Sequence, residues 1–210
     1  MYRVVLHSKI GNLIAYLAQE VPDLALTKVL KLLYLIDETS VREMGSPITW
    51  LDHKVWKLGP VAVEIFREIR HGEKTLVGDK TFSLEDYIQW DVHPNPHYSG
   101  QVEVSILSKP EVKPNLMEFS EFEEELIKGI VEEHRYTTAV DLVQLLHKKN
   151  TLWHQKVEEL ELERVFEFRN TSTVSIDFTE LIKDDPDKEL AAQAAYASLE
   201  FELALYELEL

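Results

Sequence analysis

The chain of 210 residues is 45% hydrophobic and 29% charged, with 7 Gly, 8 Pro and no Cys, which suits one folded domain with a substantial core and excludes collagen-like, low-complexity and disulfide-framed classes, thiolate metal sites and cysteine nucleophiles. The formal net charge of −16 is unevenly spread: residues 118–210 hold 23 Asp/Glu against 9 Lys/Arg, whereas residues 1–75 hold 9 against 10. So acidic a half repels phosphate backbones and steers basic surfaces, which predicts no nucleic-acid binding and favours a basic protein partner.

The first nine residues lack the apolar core of a signal peptide, and no apolar run reaches the ~20 residues of a membrane span, so a cytoplasmic protein without membrane contact is expected. Ile10, Leu13, Ile14 and Leu17 recur at helical spacing and predict a first helix ending before Pro22. A second is expected from Thr27 as N-cap, with Leu30, Leu33, Tyr34, Val41 and Met44 on one broad face and Gly45 as its stop. In Trp56-Lys57-Leu58-Gly59-Pro60-Val61, Gly59 frees the backbone and Pro60 pre-sets φ for a helix carrying Val61, Ile65 and Ile69, closed at His71-Gly72.

Residues 75–114 change character. Thr75–Val77, Thr81–Phe82, Tyr87–Trp90 and Val102–Leu107 favour extended structure between Gly, Asn and Pro breaks, which predicts an inserted antiparallel sheet or hairpin. Helices then return. Ser120 and Glu123 form a capping box ahead of Phe122, Leu126, Ile130 and Val131, and Thr138 starts a helix burying Leu142, Leu145 and Leu146. A helix over Lys156–Glu163 and a hairpin of Val165–Phe168 with Thr173–Phe178 are expected next, then a terminal helix over Glu189–Glu209 with two apolar stripes. The reading is α+β, mainly α: a compact helical domain with a small inserted sheet.

These parts resemble the Panacea antitoxin domain, the family of phage-associated GepA-like and SocA-like proteins. The matching blocks are Lys28-Val29-Leu30-Lys31-Leu32-Leu33-Tyr34, then Val55-Trp56-Lys57-Leu58-Gly59-Pro60-Val61, then Tyr136–Leu142 leading to Leu146-His147 and Trp153. Leu58, Leu146 and Leu152 depart from the Tyr, Thr and Pro usual at those places. The resemblance covers residues 1–155, with an antitoxin domain expected over 1–170, residues 75–114 as its insertion, and a C-terminal extension over 171–210 carrying the terminal helix. It implies an antitoxin of a bacterial or phage toxin–antitoxin module that neutralises a small toxin by direct binding, some relatives acting instead as adaptors that deliver the toxin to a protease. Lys31, Tyr34, Trp56, Lys57, Leu58, Gly59, Pro60 and Val61 are the candidate toxin-binding residues, with Lys31 and Lys57 facing one groove; a homo-oligomer is an open alternative for the terminal helix.

No catalytic signature competes. Among the 8 His, His93 with His97 and His147 with His154 are the densest pairs, but neither has the converging third and fourth ligands a metal needs. Glu158, Glu159 and Glu161 read as a charged helix face rather than a general acid and base, and serine elbows, P-loops and dinucleotide-binding glycine patterns are absent. No cofactor and no enzymatic activity are expected; a hydrolase or metal enzyme would need activity dependent on His147 or His93.

Overall fold

The computed structural model describes residues 2–77, 80–95 and 102–208. Helix α1 spans Tyr2–Glu20 and α2 Leu26–Met44. Ile10, Leu13, Ile14 and Leu17 are buried, as their spacing predicts. Helix α2 starts ahead of Thr27: Ala25 occupies the N-cap position with no side-chain bond, held extended by a bridge to Ser105. Gly45 ends it at φ 83, its N–H returning to the Val41 carbonyl as a left-handed cap requires.

Strands β1 (His53–Trp56) and β2 (Gly59–Ala62) pair antiparallel, Trp56 opposite Gly59 and Val55 opposite Pro60. This corrects the expected helix start at Gly59-Pro60: α3 runs over Val63–His71. Lys57-Leu58 make a two-residue turn, Gly59 takes φ 96, and the fixed φ of Pro60 suits an extended residue as well as a first helical turn. Strands β3 (Thr75–Val77) with β4 (Lys80–Phe82), and β5 (Ile88–Pro94) with β6 (Val102–Ser108), form two further hairpins, which bears out a β-rich segment between helices. The β5–β6 ribbon lies on α1 and α2, sending Ile88, Val104 and Ile106 into the core.

Helix α4 (Glu121–His134) opens with both halves of the Ser120/Glu123 capping box, and α5 (Ala139–Leu146) with Thr138 accepting the Asp141 N–H. Helix α6 covers Leu152–Glu159, α7 Leu162–Phe166 and α8 Pro186–Leu208. The hairpin expected around Asn170-Thr171 does not form, because α7 takes up Val165 and Phe166. Residues 170–176 instead run antiparallel to β1: Val55 N–H donates to Val174 O at 2.8 Å, Ile176 N–H to His53 O at 2.8 Å and Lys57 N–H to Asn170 O at 2.9 Å. The edge of β1 not used by β2 must find partners somewhere, and this strap supplies them.

Helix α2 separates two apolar clusters. Leu30, Leu32 and Leu33 join α1, α3, α4 and the β5–β6 ribbon in the larger; Tyr34 and Val41 join Val55, Trp153, Phe166, Ile176 and Phe178 in the smaller. The architecture is mainly α with small antiparallel hairpins, as expected. Among the described residues no helix is long and apolar enough to cross a membrane.

Candidate functional site

The β1–β2 turn is fastened from below by a buried lysine. Lys31 on α2 is 1% exposed and donates from Nζ to Pro60 O at 2.7 Å. Burial alone pulls its ammonium down to about 7, because a charge without a counter-ion is poorly solvated there. A Cβ at residue 59 would lie 3.1 Å from that Nζ, so the bare backbone of Gly59 answers both the left-handed φ and the close approach of Lys31. His147, just past α5, stacks on Trp153 with ring centroids 3.7 Å apart and planes 5° apart. Its pKa falls to about 4, chiefly by burial, then through Lys31 and His154. The ring therefore packs as neutral imidazole.

Two tryptophans tie the hairpin laterally. Trp153 Nε1 donates to Trp56 O at 2.8 Å, and Trp56 Nε1 to Ser172 O at 3.2 Å, while the Trp56 ring meets Phe66 edge to face at 4.9 Å. Ser172 Oγ closes the loop by donating to Val55 O at 2.6 Å. Lys57 Nζ reaches Phe166 O at 3.0 Å. The turn is thus bound to α2, α6, α7 and the strap, with Lys57 held at both its N–H and its Nζ and the Leu58 side chain left in water.

Of the candidate residues, Lys31, Tyr34, Gly59, Pro60 and Val61 are buried, Trp56 is half-buried, and Lys57 and Leu58 are exposed. Lys31 and Lys57 do not share a groove: one lies beneath the hairpin, the other on its surface. Sequence reasoning missed the group behind Tyr34. Asp37, wholly buried, accepts from Ile48 N–H at 3.0 Å, Thr49 N–H at 2.8 Å and the Thr49 hydroxyl, and lies 3.0 Å from His53 Nε2. Tyr34 meets the His53 ring at 5.5 Å and Phe178 at 5.4 Å, and burial pushes its hydroxyl well above the usual range. The available signal was an acid three residues after Tyr34 and four before Val41 on an apolar stripe.

His93 Nε2 pairs with Ser105 Oγ at 2.7 Å, and His97 lies outside the described residues. His154 Nε2 sits 3.3 Å from Glu158, while Glu159 and Glu161 pair at the surface with Lys156 and Arg164. Among the described residues no three His, Cys, Asp or Glu are placed to hold a metal. An open polar groove of about 340 Å³ lies between α4 and α5, lined by Glu133, His134, Asp141, Gln144 and Lys148 among others.

The frame is helical and carries a hairpin pinned at its base with its turn at the surface. Residues 29–154 match the family described as Antitoxin SocA-like, Panacea domain. The match takes in more than half of the chain, and the chain belongs to that family. The matched span opens within α2 and closes one residue after Trp153, so it contains the hairpin, Lys31 and Trp153, while Ser172 and Phe166, which receive Trp56 and Lys57, lie beyond it. No match is found among curated proteins or among solved structures.

Proposed function

We propose that this chain is the cytoplasmic antitoxin of a toxin–antitoxin module and neutralises a cognate small protein toxin by binding it directly, with the β1–β2 turn at the centre of the contact. The observation that carries the reading is the contrast at that turn. Lys57 and Leu58 are exposed at the tip of a hairpin whose base is held by Lys31, Trp153 and Ser172. A tip preorganised in this way binds with little ordering cost. Lys31, Tyr34, Gly59, Pro60 and Val61 then support the contact, and Trp56, Lys57 and Leu58 present it. The charge of −16 favours a basic toxin and speeds encounter. An interface of ~1,600 Å² in total is enough for tight inhibition when it holds a central hot spot.

Co-expression with the product of the adjacent reading frame is the direct test: that product alone should arrest growth, and this chain should restore growth and co-purify with it in a stable complex. A harmless neighbour, or a toxic one that this chain neither silences nor binds, overturns the reading. Collapse of the toxin's half-life, reversed by deleting a protease, would replace neutralisation by binding with delivery for proteolysis.

A further inference from the structure

The strap along β1 brings a residue to the tip that no sequence motif singles out. Its pairing with β1 is antiparallel, from Ile176 on His53 to Asn170 on Lys57. Lys57 reaches Asn170 O with its N–H and Phe166 O with its Nζ, which brings Leu58, the next residue, to the end of the strap that carries Phe168 and Arg169. Leu58 is 60% exposed and Phe168 88% exposed. Phe168 is not carried by a slack loop: its own N–H and that of Arg169 both donate to Val165 O at 3.1 Å. Phe166 on one side is buried and receives Lys57 Nζ, and Asn170 on the other receives the Lys57 N–H. A large aromatic ring is thus held in water by backbone bonded before and after it. Rigid aromatics placed this way carry a large share of binding energy at interfaces, since little entropy is lost when they are buried.

The charges around the ring lean acidic, residues 158–169 holding five Glu against two Arg. Glu161 is paired with Arg164, whereas Glu163 and Glu167, four residues apart on and just beyond α7, are exposed without an ion pair among the described residues, as is Arg169 next to the ring. A surplus of carboxylates around two exposed apolar side chains complements a surface with an apolar pocket flanked by Lys or Arg.

We propose that Phe168 and Leu58 are paired apolar anchors of the toxin contact, and that Glu163 and Glu167 receive basic side chains of the same toxin. This rests on the antitoxin reading above and assigns the anchor to a segment beyond the family-matched span.

The test uses the full chain and the purified toxic product of the adjacent reading frame, titrated calorimetrically. Phe168→Ala should weaken binding at least 30-fold and Leu58→Ser at least 10-fold, each with the melting temperature of the unaltered chain. The double variant Glu163→Gln with Glu167→Gln should slow association several-fold and flatten its salt dependence. Met117→Ala, which removes another exposed apolar side chain, 93% exposed, should change affinity less than 2-fold. Should Phe168→Ala fail to fold, Leu58→Ser and the double variant decide. Toxin bound by the unaltered chain and within 2-fold as tightly by the anchor variants overturns the anchor assignment and leaves the antitoxin reading standing; toxin not bound by the unaltered chain overturns both.

Discussion

The indole N–H of Trp153 donates to the main-chain carbonyl of Trp56 at 2.8 Å across 97 residues of chain, and the same indole ring carries His147 flat against it. One side chain therefore fixes both the end of β1 and the end of α5. Trp153→Phe keeps an aromatic surface for His147 and loses only the donor, so it should cost about 1–2 kcal/mol, whereas Trp153→Ala should cost about 3–5 kcal/mol. Urea denaturation midpoints separate the two. A Phe variant as stable as the unaltered chain would mean that the hydrogen bond contributes nothing.

Gly59 and Gly72 form a matched pair for substitution. Both have positive φ, 96 and 69, but a Cβ at Gly72 meets nothing within 4 Å, whereas one at Gly59 meets Lys31 Nζ at 3.1 Å. Gly72→Ala should cost about 1 kcal/mol from backbone strain alone, and Gly59→Ala about 2–3 kcal/mol because the lysine must also shift. Equal losses in thermal or urea unfolding would show that crowding by Lys31 is without effect.

Lys31 makes stability depend on alkaline pH. Its pKa lies near 7 in the folded chain against 10.5 for the free side chain. Between those values the unfolded chain binds a proton that the folded chain does not, so stability is highest above pH 10.5 and falls as pH drops towards 7. The loss is on the order of 5 kcal/mol at most for a shift of this size. Lys31→Met removes the titration at the expense of one hydrogen bond to Pro60 O, and should stabilise the chain by about 1–4 kcal/mol at pH 7, with the gain vanishing near pH 10.5. Urea unfolding of both chains from pH 7 to 10 reads the two slopes; parallel curves would refute the assignment.

Asp37 should be the least replaceable side chain in the smaller core. Asp37→Ala strips the Ile48 and Thr49 N–H groups of their acceptor and leaves His53 Nε2 without the carboxylate it pairs with. A loss of about 3–5 kcal/mol is expected, enough to unfold a domain of ordinary stability. Circular dichroism at 25 °C checks this, and a variant with native melting behaviour would show that the network is dispensable.

Local chemistry was legible in the sequence and long-range chemistry was not. The Ser120/Glu123 box, the Thr138 cap and the Gly45 stop all act within four residues of themselves, and each took the expected form. Gly59-Pro60 was misread because both residues suit a helix start and a strand equally; the antiparallel register with His53–Trp56 decides between them. Lys31 stood out as a polar residue on an apolar stripe, yet its acceptor lies 29 residues away, on a strand that spacing alone did not reveal. Phe168 was expected inside a hairpin of Val165–Phe168 with Thr173–Phe178. Burial of Phe166 and pairing of 170–176 with β1 turn it outward instead.

The strap also separates two notions of unit. The family signature ends at residue 154, but the outer edge of β1 is closed by residues 170–176. A chain cut between them would present the Val55 and Lys57 N–H groups and the His53 carbonyl on a bare strand edge, the kind of edge that recruits other chains. The matched span therefore stops short of the residues that close this edge. It also means that the corner around Leu58 is built jointly by two stretches far apart in sequence, so a change of partner can be written into the later stretch without disturbing the lysine and tryptophans that hold the earlier one in place.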